Sequence, residues 1–110
     1  MTEKSKSSLK RSAANLQRGF EAVGGKLTLT PRALRFESHA LNLQRGSAEI
    51  DLQSIEAIQP AKAKFFGLLP VSNNAFVVTL TDESTYRFIV RGRDKWMEAI
   101  ADAIDALHQT

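Results

Sequence analysis

The polar side chains most suited to chemistry lie in one short stretch, "RFESHALNLQRG", residues 35–46. It gathers His39, Asn42, Gln44 and Arg45 around two leucines. An imidazole, two amides and a guanidinium can supply the hydrogen bonds that hold a lipid headgroup or a peptide. The same residue types are also common in a long turn between strands, where they satisfy the backbone. The four residues are candidate ligand-binding residues, and both interpretations stay open.

Lysines provide the other candidate site. Lys26 faces outward in the stretch "KLTLT", and Lys62 and Lys64 alternate with alanines in "AKAKFFGLLP". An apolar loop beside lysines could dip into a membrane interface. The alternative is that the two phenylalanines and two leucines after Lys64 close the core. We expect most of them to be buried, because a chain of 110 residues can spare few large apolar side chains from burial.

Catalysis has little support in this sequence. Cysteine is absent, and the two histidines, His39 and His108, are far apart in the chain. Asp82 and Glu83 are adjacent, but they fall in a predicted turn, where acidic residues are common. No pattern of a nucleophile with its base or of metal ligands is present, so we expect no enzymatic activity, cofactor or metal.

The composition indicates one small domain preceded by a basic tail. Apolar residues make up 43% of the chain and charged residues 25%, and the net charge is +3. Residues 1–12 hold Lys4, Lys6, Lys10 and Arg11 against one glutamate, which accounts for that net charge. We therefore predict a flexible tail at 1–12, either a weak electrostatic tether or a solubilising leader, and a neutral domain at 13–110.

No segment has the length and apolarity of a membrane span, and the basic start lacks the apolar stretch of a secretory signal. A cytoplasmic location is therefore expected. Because the domain body is neutral, we expect no nucleic-acid partner.

Alternating apolar residues predict about seven strands. The stretch "AANLQRGF" is the predicted first strand, and Gly24–Gly25 is the tight turn that follows it. The stretches "KLTLT" and "ALRFES" form a predicted hairpin. "AEIDL" and "SIEAIQPAKAK" follow, and Pro60 suits only a sheet edge or a strand end. "AFVVTLT" and "TYRFIV" are the clearest strands, joined by a short turn. Residues 39–46 then fall in the long connection of a hairpin.

A helix is predicted at the end of the chain, because Trp96, Ile100 and Ile104 recur at helical spacing, with Gly92 or Asp94 at its start. These residues should face Leu27, Phe36, Phe76 and Phe88. The fold class is therefore mainly β with one C-terminal α-helix: a pleckstrin-homology-like barrel of about seven antiparallel strands, capped by the helix.

The stretch "GFEAVGGKLTLTPRALRFESHALNLQRGSAEIDL" resembles the core of a GRAM domain of the small bacterial stand-alone type. "GRDKWMEAI" resembles the closing helix of that family, although Thr28 stands where an aromatic residue is usual. The resemblance implies a non-catalytic module that binds lipid headgroups at the membrane surface, peripherally at its inner face. The alternative is a protein–protein interaction module that takes a peptide or a partner domain.

Overall fold

Seven antiparallel strands form one sheet, and a helix follows them, which confirms the predicted fold class. The computed structural model describes residues 8–18, 21–39, 47–63 and 72–109. The strands are β1 (Lys10–Arg18), β2 (Glu21–Leu29), β3 (Ala33–Ser38), β4 (Ala48–Asp51), β5 (Ile55–Ala63), β6 (Ser72–Leu80) and β7 (Thr85–Val90). A 3-10 helix (Leu52–Ser54) joins β4 to β5, and helix α1 spans Arg93–His108.

The sheet curls around the core without closing. Its strand order is β4-β3-β2-β1-β7-β6-β5, so β4 and β5 lie at opposite ends and do not pair with each other in the described part of the chain. The predicted barrel is therefore not closed by strand pairing. Helix α1 contacts β5, β6 and the 3-10 helix, and this packing fills the gap between the two ends. Pro60 lies in β5, an end strand, as predicted.

One hydrophobic core holds the strands and the helix together. Leu27, Phe36, Phe76 and Phe88 belong to the same buried cluster as Trp96 and Ile100 of α1, and Ile104 packs partly against it. The predicted helix residues and the predicted strand residues thus belong to one core. The ring of Phe88 lies 6.0 Å from that of Phe36 and 5.6 Å from that of Phe76, within the range of favourable aromatic pairs.

The buried Trp96 joins the helix to the first strand. Its indole Nε1 donates a hydrogen bond of 3.2 Å to Ser12 Oγ, and the Lys10 ammonium lies 5.4 Å from the ring centroid. Trp96 is only 1% exposed, and a buried indole N–H without a hydrogen-bond partner would be destabilising. The bond to Ser12 provides that partner. The contact belongs to residues that the sequence assigned to a tail.

The boundary of the predicted tail is therefore corrected. Strand β1 begins at Lys10, and its first residues pair with β2 as Lys10 with Leu29 and Ser12 with Leu27. Leu9 also donates a backbone hydrogen bond of 2.7 Å to Leu29. The main-chain ladder thus includes positions 10–12, despite their basic composition. Residues 1–7 lie outside the described residues, and the mobility of that segment stays a prediction.

The prediction of a turn at Gly24–Gly25 is wrong, because both glycines lie inside β2. Strand β1 ends at Arg18, which pairs with Glu21 at the start of β2. A Cβ atom at Gly25 would overlap the carbonyl oxygen of Glu37 and would lie 2.7 Å from Phe36 Cζ. Glycine is therefore required here by a close approach of β2 to β3, as is common for glycines inside strands.

Helix α1 begins after Gly92, which occupies its N-cap in the left-handed region with φ of 74°. This confirms Gly92 as one of the two predicted start residues. Asp94 lies in the first turn, where its negative charge is favourable near the helix N-terminus. It pairs with Arg93, which also donates a hydrogen bond of 3.3 Å to the Ala61 carbonyl of β5.

Replacing Trp96 by Ala should lower the free energy of unfolding by about 3–5 kcal/mol, because a large buried side chain leaves a cavity. Chemical denaturation of the purified chain measures this loss. Lys95→Ala is the matched control, since Lys95 is exposed on the same helical turn. An unchanged midpoint for Trp96→Ala would contradict the packing described above.

Gly25→Ala should be far more destabilising than Gly24→Ala, although the two glycines are neighbours in one strand. A Cβ atom added at Gly25 would meet backbone atoms of Glu37, which cannot move independently of β3. At Gly24 the nearest atom is Asn15 Oδ1 at 3.1 Å, the end of a side chain that can rotate. Thermal unfolding of both variants tests the difference, and equal melting temperatures would show that β2 does not need this close approach.

Candidate functional site

The candidate site lies on the outer face of the sheet, where strands β1 to β4 run side by side. Alternation places Leu27 and Leu29 in the core and turns Lys26 and Thr28 to the outside. Thr28 is the cross-strand partner of both Arg11 and Arg35. It is only 9% exposed, although it faces outward.

An open groove of about 470 Å³ lies on this face. We call it the outer groove. Its charged and titratable lining residues are Arg11, Lys26, Arg35, Glu37, His39 and Glu49. They come from the first four strands and from the residue that follows β3, so the sheet itself holds most of them in place.

The outer groove carries charges of both signs. Arg11 and Lys26 stand on β1 and β2, whereas Glu37 and Glu49 stand on β3 and β4. Arg35 Nη2 lies 3.6 Å from Glu49 Oε2, and this is the only ion pair that the described residues form in the groove. Arg11, Lys26 and Glu37 are all exposed and can meet charged groups of a ligand.

Two of the sequence-predicted site residues, Lys26 and His39, lie together in the outer groove. His39 is exposed, and its backbone N–H donates a hydrogen bond of 2.9 Å to the Gly24 carbonyl, close in sequence to Lys26. Lys26, a candidate cation, and His39, the first residue of the predicted polar loop, therefore line the same groove.

The other predicted site residues are not tested by the structure. Asn42, Gln44, Arg45 and Lys64 lie outside the described residues, as do the apolar side chains that follow Lys64. The backbone of Lys62 belongs to β5, but its side chain is not described. Strand β3 ends at Ser38 and β4 begins at Ala48, and residues 40–46 of the predicted long connection lie outside the described residues.

Sequence reasoning missed Arg11, Arg35, Glu37 and Glu49 as site residues. Arg11 was assigned to the tail by composition, although strand pairing places it opposite Thr28. The other three could have been found from alternation, since the β2–β3 hairpin pairs Thr28 with Arg35. What the sequence lacks is the register of β1, because a basic, serine-rich segment gives no strand signal.

The groove also contains hydroxyl groups beside the histidine. Ser38 N–H donates a hydrogen bond of 3.3 Å to Ser47 Oγ. The groove thus presents charged side chains together with hydrogen-bonding groups.

A second groove of about 560 Å³ runs along the outer side of β1 and meets the outer groove at His39. Asn15, Gly24, Ile89 and Arg91 are among its lining residues. The described residues contain no cluster of three potential metal ligands. In the same ranges, no helix has the length and apolarity needed to cross a bilayer.

The Asp82–Glu83 pair belongs to the β6–β7 turn. Asp82 Oδ1 accepts hydrogen bonds from the Ser84 hydroxyl at 2.6 Å and from the Ser84 backbone N–H at 2.9 Å. The hydrogen bond from the Ser84 hydroxyl, followed by that from its backbone, lowers the pKa of the Asp82 carboxyl below its ordinary value. Both acidic side chains are exposed, and the described contacts of Asp82 serve the turn.

Comparison with known proteins now places the fold. No family model matches the chain, and no curated protein matches it. Among solved structures, the C-terminal pleckstrin homology (PH) domain of human pleckstrin is similar over 89% of this chain and 88% of its own, with a TM-score of 0.68 and 20% identity. The chain has the PH fold. Its membership of the GRAM family stays a prediction.

Two further structures share this fold. The C-terminal domain of an unknown protein from Leishmania infantum matches 94% of this chain and 90% of its own, with a TM-score of 0.67 and 21% identity. The Slm1 PH domain in complex with phosphoserine matches 89% of this chain and 93% of its own, with a TM-score of 0.60 and 14% identity. At these identities the likeness shows the fold alone.

Replacing Ser84 by Ala should raise the pKa of Asp82, because the hydroxyl that stabilises its carboxylate is lost. The lowered pKa favours the folded state above the pKa of the unfolded chain. This contribution is lost as pH falls through the folded pKa. Carboxyl NMR titration of both proteins measures the change. Identical Asp82 titrations would contradict this account of the turn.

Proposed function

We propose that this protein is a non-catalytic binding module that engages anionic lipid headgroups at a membrane surface through the outer groove. One observation carries the proposal: Arg11 and Lys26, from adjacent strands, line one open groove without an ion pair to any described residue. Each cation near an anionic membrane surface contributes about 1 kcal/mol of attraction, so the two favour this surface over water.

The sheet limits the entropic cost of such binding. Arg11 and Lys26 stand on paired strands, and Ala13 opposite Lys26 leaves space on the outer face. Their backbones are already ordered, so only side-chain freedom is lost when a ligand binds. The Slm1 PH domain, which shares the fold, was solved with phosphoserine, an anionic ligand, and this also supports the proposal.

A protein-interaction module is the second candidate function. The sheet is open, so β4 and β5 are end strands within the described part of the chain. Strand β5 is nine residues long, and an extended peptide could add to an end strand of that length by main-chain hydrogen bonds. Pro60 removes one backbone donor from β5, which limits such pairing. We therefore place lipid binding first, at the inner face of the cytoplasmic membrane.

The double variant Arg11→Gln/Lys26→Gln should bind anionic vesicles about 30-fold more weakly, because two contributions of about 1 kcal/mol are lost. Co-sedimentation with phosphatidylcholine vesicles, with and without phosphatidylglycerol, measures the affinity. Added salt should weaken binding of the original protein more than binding of the variant.

The matched control is Arg32→Gln/Lys95→Gln, which removes the same amount of charge from exposed positions outside the outer groove. It should bind like the original protein. An equal loss in both double variants would assign the attraction to net charge alone and would reject the groove. Binding of the original protein to neither vesicle type would reject lipid binding and favour the protein-interaction alternative.

A further inference from the structure

The unpaired charges of the outer groove define a ligand class. Arg11 and Lys26 leave two cationic positions open, and Glu37 leaves one carboxylate open, because Arg35 and Glu49 pair with each other. We propose that the groove recognises the headgroup of phosphatidylserine, with its phosphate and carboxylate on the two cations and its ammonium on Glu37. This inference rests on the proposed function and names its ligand.

Charge matching favours this headgroup over one that carries only negative charge. A groove for a multiply phosphorylated headgroup would gain from cations alone, whereas each exposed carboxylate in it would repel the ligand. Here Glu37 and Glu49 line the same groove as the cations. A phosphoserine headgroup combines two anionic groups with one ammonium, which is the complement of the three unpaired side chains.

The register brings the two signs of charge close enough for one small headgroup. Lys26 of β2 and Glu37 of β3 are direct cross-strand partners on the outer face. Side chains at such positions have Cβ atoms about 5 Å apart. In the serine headgroup, two carbon atoms lie between the phosphate oxygen and the ammonium, so its charges are separated on the same scale.

Lys26 and Glu37 also form no ion pair with each other, although they stand opposite one another. Both side chains are exposed, so each remains solvated and available. A headgroup placed between them would give the ammonium a carboxylate partner and the lysine an anionic partner at once. Phosphatidylglycerol, which has the same net charge and no amine, would satisfy the cations only.

Vesicle binding separates this inference from the proposed function. The full chain is tested on phosphatidylcholine vesicles that contain equal fractions of either phosphatidylserine or phosphatidylglycerol. We expect about two- to fivefold tighter binding to phosphatidylserine, the effect of one exposed charge pair. Equal affinity for the two lipids, with a loss of binding in Arg11→Gln/Lys26→Gln, would overturn the inference while leaving the proposed function intact.

The variant Glu37→Gln should abolish the preference, through weaker binding to phosphatidylserine and unchanged or tighter binding to phosphatidylglycerol. Glu98→Gln is the matched control, since it removes the same charge from an exposed position on α1 and should keep the preference. Retention of the preference in Glu37→Gln would reject the ammonium position. A melting temperature equal to that of the original protein confirms that the variant is folded.

A soluble headgroup distinguishes a lipid ligand from a free metabolite. Glycerophosphoserine should displace the protein from phosphatidylserine vesicles only at much higher concentration than the lipid itself, because the vesicle presents many headgroups at once. Glycerophosphoglycerol should be a weaker competitor. If the protein binds glycerophosphoserine as tightly as it binds phosphatidylserine vesicles, the ligand is the free headgroup, and the assignment of a lipid ligand is rejected.

Discussion

The close approach of β2 to β3 at Gly25 is the constraint on which both the fold and the groove depend. Any side chain at this position would overlap the Glu37 carbonyl and the Phe36 ring. The missing Cβ lets Phe36 fill the core beneath β2 and lie near Phe88. The same contact places Lys26 and Glu37 side by side on the outer face. Core packing and groove geometry are thus two consequences of one glycine.

The open edge of the sheet explains the role of the helix. Because the seven-stranded sheet does not close, its core would be exposed to solvent between β4 and β5. Another apolar surface must therefore cover the core there. Trp96 and Ile100 provide that surface, and Leu52 of the 3-10 helix is buried in the same cluster. The bond from Trp96 to Ser12 then ties the helix to β1, the strand that carries Arg11. The helix therefore also contacts the strand on which one cation of the groove stands.

Sequence patterns predict those elements of this fold in which buried and exposed residues alternate with a regular period. Alternation located β2, β3, β6 and β7, and helical spacing identified α1, because burial of one face imposes a period. Two features escaped that logic. The glycine pair was assigned to a turn, since its need for space arises from β3 and not from its neighbours. The start of β1 was assigned to a tail, since pairing with β2 overrides a polar composition.

The residues of the candidate site could be predicted only where the pairing register of the strands could be predicted. Lys26 was recognised as outward-facing, and His39 as a polar loop residue, but a site requires neighbours on other strands. Arg35 and Glu37 follow once the β2–β3 hairpin is aligned. Arg11 follows only once β1 is known to pair with β2. Pairing between strands that are distant in the sequence is therefore the information that this sequence does not contain. That pairing brings the charged residues of separate strands together in the groove.

The mixed charge of the groove favours selectivity over affinity. Exposed charge pairs contribute little individually, because water screens them and the long side chains lose freedom. A site with carboxylates beside its cations gives up part of the general attraction to an anionic surface, and in return it penalises ligands that lack a matching cation. If the groove binds lipid as proposed, many headgroups in one plane would supply the affinity, and Glu37 would distinguish headgroups of equal net charge.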